Sequence, residues 1–225
     1  MVTVSDADAA TVGPERVTVV PNGVDTSRFV PTPLPAAHRL VFTGALYTGA
    51  NADGIGWFCD EVLPLVRTAV HGATLDVVGL RPSAAVRALD RRPGIAVHPD
   101  VASVVPYLQA ARVALVPLRV GSGSRLKALE AMAAGRPVAG TRIGLEGLVY
   151  RPDVHASVAD DPTDLARLVV ELLTDDAKAA RQAEAAHRLV VDRYSWSTIG
   201  RDYVASLFGR IPGPPSGRPA RWPRS

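Results

Sequence analysis

The chain has 225 residues, 47% of them apolar and 21% charged, with a formal net charge of +3. That length allows one or two domains with a real core, and the composition is globular. The longest stretch without a charge, Leu40–Ala52, is 13 residues with two glycines inside it, too short and broken for a membrane span of ~18 or more.

The first ten residues lack the basic flank and apolar segment of a secretory signal. Cys59 is the only cysteine, which excludes an internal disulfide and a cysteine-cluster metal site. A soluble, cytoplasmic α/β protein is expected. The positive charge is concentrated at one end: residues 209–225 hold four arginines, five prolines, three glycines and no acid, leaving residues 1–208 at −1. A near-neutral body argues against nucleic acid as a partner. The tail is expected to be disordered and to contact nothing, with anionic lipid as the alternative.

In chain order, strands are expected at Val17–Val20 and Leu40–Thr43, followed by a helix at Ala52–Val70. A strand at Thr74–Val78, a helix at Ser83–Leu89, a strand at Ile95–His98 and a helix at Val101–Ala111 come next. Strand Val113–Val116, helix Ser124–Ala134 and strands Pro137–Ala139 and Ala156–Val158 follow. Helices at Pro162–Leu173, Asp176–Tyr194 and Ser195–Phe208 close the pattern, with Asp161 and Ser195 as N-caps. Short apolar runs alternating with helical patterns predict parallel βαβ units and a doubly wound, Rossmann-like α/β domain over residues 1–208.

In such a sheet ligands bind beyond the carboxyl ends of the strands, and three strand-to-helix loops are unusual: Gly44–Asn51, Gly79–Pro82 and Arg119–Glu130. The third carries the most chemistry. Gly121 and Gly123 let the backbone approach a ligand, and the amides of a new helix attract anions. Lys127 and Glu130, three apart, project from one helix face. A cation at a helix start with a carboxylate one turn later suits a nucleotide, with phosphate at one end and hydroxyls at the other. The same residues also fit a plain loop and a solvated ion pair worth a few tenths of a kcal/mol. Against 23 arginines the chain has two lysines, Lys127 and Lys178. A lysine at a glycine-rich helix start therefore suggests a need for a compact point charge.

Competing motifs fail. Gly49 is followed by Ala50-Asn51 rather than the Lys-Ser/Thr of a Walker loop, and Gly121-x-Gly123 comes too late for the dinucleotide fingerprint. No Gly-x-Ser-x-Gly elbow is present, and His38, His71, His98, His155 and His187 share no metal-ligand spacing.

An ordered series of segments resembles the nucleotide-sugar half of the family 4 glycosyltransferases, which have the two-domain GT-B architecture. It runs from Val20-Pro-Asn-Gly-Val-Asp25 and Phe29 through Phe42-Thr-Gly44, Asn51 and Trp57-Phe58 to Asp76-Val-Val-Gly79 and Pro106-Tyr-Leu108. Its most specific part is Val116–Arg119 with Gly123–Val138, continuing to Glu146-Gly147 and Tyr194-Ser-Trp196. The resemblance implies a nucleotide diphosphate-sugar donor, retention of anomeric configuration and no metal or other cofactor. It implies that Glu130 holds the ribose hydroxyls and that Gly121, Ser122, Gly123, Ser124 and Arg125 hold the diphosphate through their backbone amides. Lys127, with Arg125, would neutralise the leaving phosphate; Gly44, Asn51 and Gly79 would line the donor site, and Asp100 and Val101 would meet the base.

Three departures stand out. Ser122 replaces the first acid of the family's Glu-x7-Glu motif, Leu46, Tyr47 and Asn51 replace its usual basic pair, and Pro99 and Ser103 stand where Gly and Asp are common. The resemblance also implies an acceptor-binding half, or separate subunit, that these residues do not include. The acceptor, a sugar, lipid or small molecule, is then unspecified, and this chain alone is expected to be inactive. Trp196, Tyr203 and Phe208 would line a helix face turned toward the missing half, the alternative being a helix folded onto its own domain. The alternatives are a non-catalytic nucleotide-binding scaffold and a GT-B-like sugar-nucleotide epimerase or hydrolase.

Overall fold

The computed structural model describes residues 2–3, 18–121 and 125–208. Val17, the glycine-rich loop residues Ser122, Gly123 and Ser124, and the tail 209–225 lie outside them. The architecture is a six-stranded, all-parallel sheet flanked by helices. Its strands are β3 (Arg39–Ala45), β4 (Thr74–Leu80), β5 (Ile95–Pro99), β6 (Val113–Val116), β7 (Val138–Gly140) and β8 (Ser157–Val158), in the order β5-β4-β3-β6-β7-β8. The central strand β6 is buried at every position, as expected of an apolar run covered on both faces. The first expected strand lies elsewhere. Thr18–Val19 (β2) pairs with Val2–Thr3 (β1) in a separate two-stranded parallel sheet.

The helices follow the expected alternation with local shifts. α1 (Gly49–Trp57) starts three residues before its apolar pattern and passes through a π turn, Phe58–Val62, into α2 (Leu63–Ala69). α3 (Ala84–Ala88) is capped by Ser83, whose hydroxyl accepts from Val86 N–H at 3.3 Å. α4 (Val105–Ala110) begins four residues later than expected. Pro106 sits in its first turn, where a missing N–H costs nothing, and Ser103 Oγ accepts from Val105 N–H at 3.2 Å. After α5 (Leu126–Ala133) comes α6 (Arg142–Leu145), a short helix that the sequence reading missed; Thr141 caps it. α7 (Pro162–Thr174) is capped by Asp161, α8 (Asp176–Arg193) by Asp175, and α9 (Trp196–Phe208) by Ser195, whose hydroxyl accepts from Thr198 N–H. On α9, Trp196 is 52% exposed yet lies against Gly23, Tyr203 is half-buried, and the Phe208 side chain lies outside the described residues.

Chain order matters for function. From β3 the chain winds outward through β4 to β5, then crosses back to β6 and winds the other way through β7 to β8. The strand order therefore reverses between β3 and β6, and such a switch point opens a crevice at the carboxyl edge of the sheet. The loops after β3 and β6, two of the three singled out by composition, border that crevice. Close backbone contact fixes its floor: a Cβ on Gly79 would stand 1.7 Å from the Gly44 carbonyl oxygen. No helix among the described residues is long and apolar enough to cross a membrane.

Two glycines should respond in opposite ways to alanine. Gly79→Ala forces β3 and β4 apart and should cost about 2 kcal/mol or more. Gly56 lies inside α1 with open space where a Cβ would stand, so Gly56→Ala should stabilise by about 0.5–1 kcal/mol. Urea unfolding of the two variants checks both signs.

Candidate functional site

The site is built where β3, β4, β5 and β6 end. Lys127, in the first turn of α5, sends its amine across the switch point to donate a hydrogen bond to Asn51 Oδ1 in the first turn of α1. Asn51 is itself held, its Nδ2 donating to Ala45 O at 2.8 Å. The amine lies over the Phe42 ring, 4.2 Å from its centroid. It also stands 3.0 Å from where a Cβ of Gly44 would be, so the bare backbone at Gly44 makes room for it. Burial, reinforced by the charge of Arg125 and opposed by Glu130, brings the Lys127 amine down to about 7.

Lys127 and Glu130 share a helix face, but no ion pair within 4 Å joins them among the described residues. This corrects the solvated-pair alternative: the lysine turns inward to Asn51. Burial pushes the Glu130 carboxyl up, opposed by the fields of Arg28 and then Lys127. Arg125, whose side chain is 4% exposed, donates to Gly121 O at 3.2 Å and reaches Glu146 at 3.4 Å. Its Nε has no partner among the described residues, and burial lowers its pKa. Gly121 takes φ +107 in the loop before α5, close to Ala50. The same loop is clamped to α1 by Arg119, which donates to both carboxylate oxygens of Asp53 at 2.6 and 3.1 Å.

The remaining predicted residues sit on the β4 and β5 side. Asp100 N–H donates to Gly79 O at 2.9 Å, and its carboxylate accepts from Arg81 N–H at 2.7 Å. Val101 is partly buried and packs against the core. Ser122, Gly123 and Ser124 lie outside the described residues. The structure thus gathers Gly44, Asn51, Lys127 and Gly79 at one junction and ties Asp100 to it, while Glu130 stands one turn away facing Arg28.

Three participants were missed. Phe42 entered only as part of the family-like segment Phe42-Thr-Gly44, with no role at the site, and Arg28 carries no signal beyond an ordinary surface cation. Tyr47, read only as a replacement, lies under the Arg81 guanidinium at 4.2 Å. Among the described residues no three His, Cys, Asp or Glu gather as metal ligands.

An amine held near neutrality by burial couples protonation to stability. The unfolded chain keeps its proton up to about 10.5, whereas the folded chain releases it near 7. Between those values the unfolded state binds more protons, so stability should rise with pH across that window. Urea unfolding at several pH values should show that rise, and Lys127→Met should flatten it.

Residues 37–175 match the model of the family described as glycosyl transferases group 1. An MMP alpha-(1->4)-mannosyltransferase of Mycolicibacterium hassiacum is 29% identical over 224 residues, covering 91% of this chain and 53% of that protein. A point mutant of S. aureus TarM, solved in complex with Fondaparinux, alpha-GlcNAc-glycerol and UDP, superimposes with a TM-score of 0.73. It is 16% identical, over 91% of this chain and 43% of that one. The C-terminal domain of a glycosyl transferase group 1 family protein (LpcC) from Francisella tularensis gives 0.64 at 17% identity, covering 77% of this chain and 100% of that domain. The chain spans about half the length of the curated relatives it matches. With a sheet that reverses between β3 and β6 and a glycine-rich loop leading into α5, the chain belongs to the group 1 glycosyl transferases and has the Rossmann-like fold of one half of a GT-B enzyme.

Proposed function

We propose that residues 1–208 form the donor-binding half of a family 4 glycosyltransferase that takes a sugar from a nucleotide diphosphate-sugar with retention of configuration. The observation that carries this reading is the convergence of Lys127, Asn51 and Gly44 across the switch point. It puts a half-buried amine beside the start of α5, where helix amides also favour an anion. UDP in the TarM complex is consistent with a nucleotide ligand.

On this reading the diphosphate lies over the Gly44–Gly79 floor. Its negative charge returns Lys127 to the protonated state, since a nearby anion favours the charged form. As the sugar departs, charge grows on the leaving phosphate, and Lys127 and Arg125 stand fixed to receive it. Glu130 accepts from the ribose hydroxyls at the other side of the helix start. These two cations take the place of a metal ion in the donor site. The acceptor, a sugar, lipid or small molecule, meets the donor on a second domain or subunit, so residues 1–208 alone bind without transferring. Transfer requires both substrates in attack geometry, and half of that cleft comes from the other part. We place the reaction in the cytoplasm, with any membrane contact peripheral and with nucleic acid playing no part.

Calorimetry with a nucleoside diphosphate and its parent nucleoside tests the assignment. Lys127→Ala should weaken the diphosphate about ten- to hundredfold, since a charge-assisted hydrogen bond is worth roughly 1.5–3 kcal/mol, and leave the nucleoside unchanged. Glu130→Gln should weaken both alike. Equal losses for the two ligands in Lys127→Ala would put the phosphate elsewhere.

A chelator should leave diphosphate affinity unchanged; a large loss would overturn metal independence. Release of free sugar or an epimer from the donor without acceptor would favour the hydrolase or epimerase alternative.

A further inference from the structure

The Gly44–Gly79 floor has two unlike ends. At one end is the Lys127 amine. At the other, the chain leaves β4 through Leu80 to Arg81, and the loop after β5 brings Asp100 alongside. Arg81 and Asp100 both have positive φ, 48° and 54°, although neither is glycine. They are tied to each other by the 2.7 Å bond from Arg81 N–H to Asp100 Oδ1. Both are exposed, so core packing does not explain the strained backbone, and strain of this kind collects at functional sites.

The Arg81 side chain is also fixed. Its guanidinium lies 4.2 Å from the centroid of the Tyr47 ring, which is 51% exposed. No carboxylate pairs with that guanidinium among the described residues. The loops carrying the pair are locked together, Leu46 N–H donating to Leu80 O at 2.8 Å and Ser83 N–H to Leu46 O at 3.3 Å. The result is a cationic side chain braced on an aromatic ring, on the loop after the Gly79 end of β4, with the Lys127 amine beside Gly44 on the neighbouring strand.

We propose that the face of the Arg81 guanidinium turned away from Tyr47 is the stacking surface for the planar base of the nucleotide. Asp100 is then a positioning residue: its carboxylate is engaged by the Arg81 backbone and acts on the base through Arg81. The proposal rests on the donor-binding reading above and deepens it. Bases stack well on guanidinium planes, and an aromatic ring behind the guanidinium keeps it flat and oriented.

The test is calorimetry with UDP, GDP and ADP to find the tightest diphosphate, then with its nucleoside and with inorganic pyrophosphate. Arg81→Gly is the informative variant, because glycine accepts the left-handed backbone. It should weaken diphosphate and nucleoside by about tenfold, the scale of one lost base stack, and leave pyrophosphate unchanged. Tyr47→Ala, at an exposed ring, should give a smaller loss with the same selectivity. Asp100→Asn should bind as the parent does, since its amide oxygen still accepts from Arg81 N–H, whereas Asp100→Ala should reproduce part of the Arg81→Gly loss.

An equal loss for pyrophosphate would make Arg81 a phosphate contact and overturn the proposal, as would unchanged binding of all three probes. If the parent protein binds none of the diphosphates, the donor-site reading itself fails. If it binds a diphosphate in a Lys127-dependent way that Arg81 does not affect, only the stacking surface fails.

Discussion

Lys127 and Asn51 belong to opposite halves of the sheet, and the hydrogen bond between them is the contact on which the carboxyl edge depends. A lysine amine in a partly apolar setting needs an acceptor, and here an amide oxygen and a ring face serve in place of a carboxylate. That choice constrains its neighbours. Gly44 leaves room for the amine, a Cβ there standing 3.0 Å from it, and Gly79 must lack a side chain so that β3 and β4 can close beneath it. Asn51 has to be held by Ala45 O, and α1 is held to the opposite loop by Asp53 and Arg119. A carboxylate in place of Asn51 would satisfy the amine outright and leave less of its charge for an anionic ligand.

The other buried cations are used differently. Arg136 is fully buried, and its guanidinium donates to the carbonyls of Thr32, Pro33, Ala111 and Ala134. Burial brings it down to about 10. Arg112 bridges Leu172 O, Pro35 O and Asp176 in the same manner. A planar fork with five donors can join several chain segments at once, which a point charge cannot. These two arginines therefore pin the segment before β3 to the body of the domain, while Lys127 and Arg125 serve the crevice.

Much of this was legible in the sequence, for reasons that differ by residue. The Val113–Val116 run reads as a buried strand because every position is apolar, and Asp161 reads as a cap because it precedes a proline and an apolar repeat. Val17–Val20 has the same local character, yet its described part pairs with Val2–Thr3, and strand partners are not written in a local pattern. The start of α4 was misread because Val101 and Val104 continue the apolar pattern, while Pro106 and Ser103 set the actual boundary. At the site, Lys127 stood out by its rarity. Phe42 did not, because a ring under an amine looks in sequence like any other core ring; only the tertiary contact gives it a role.

The π turn at Phe58–Val62 has a reach beyond its five residues. Leu63 N–H donates to Phe58 O, five residues back, so the helix accommodates one residue more than an α-helical turn would. On one side of that extra residue α1 presents Asn51 and Asp53 to the crevice; on the other, Leu63 and Val66 are locked into the core. Each α-helical residue turns the helix by about 100°. Closing the turn to α-helical geometry with all its residues kept would hold the core half in place and swing the crevice half by about that angle. The two halves of this helix therefore behave as cam and shaft: the irregularity in the middle sets the angular phase at which core packing presents Asn51 to Lys127.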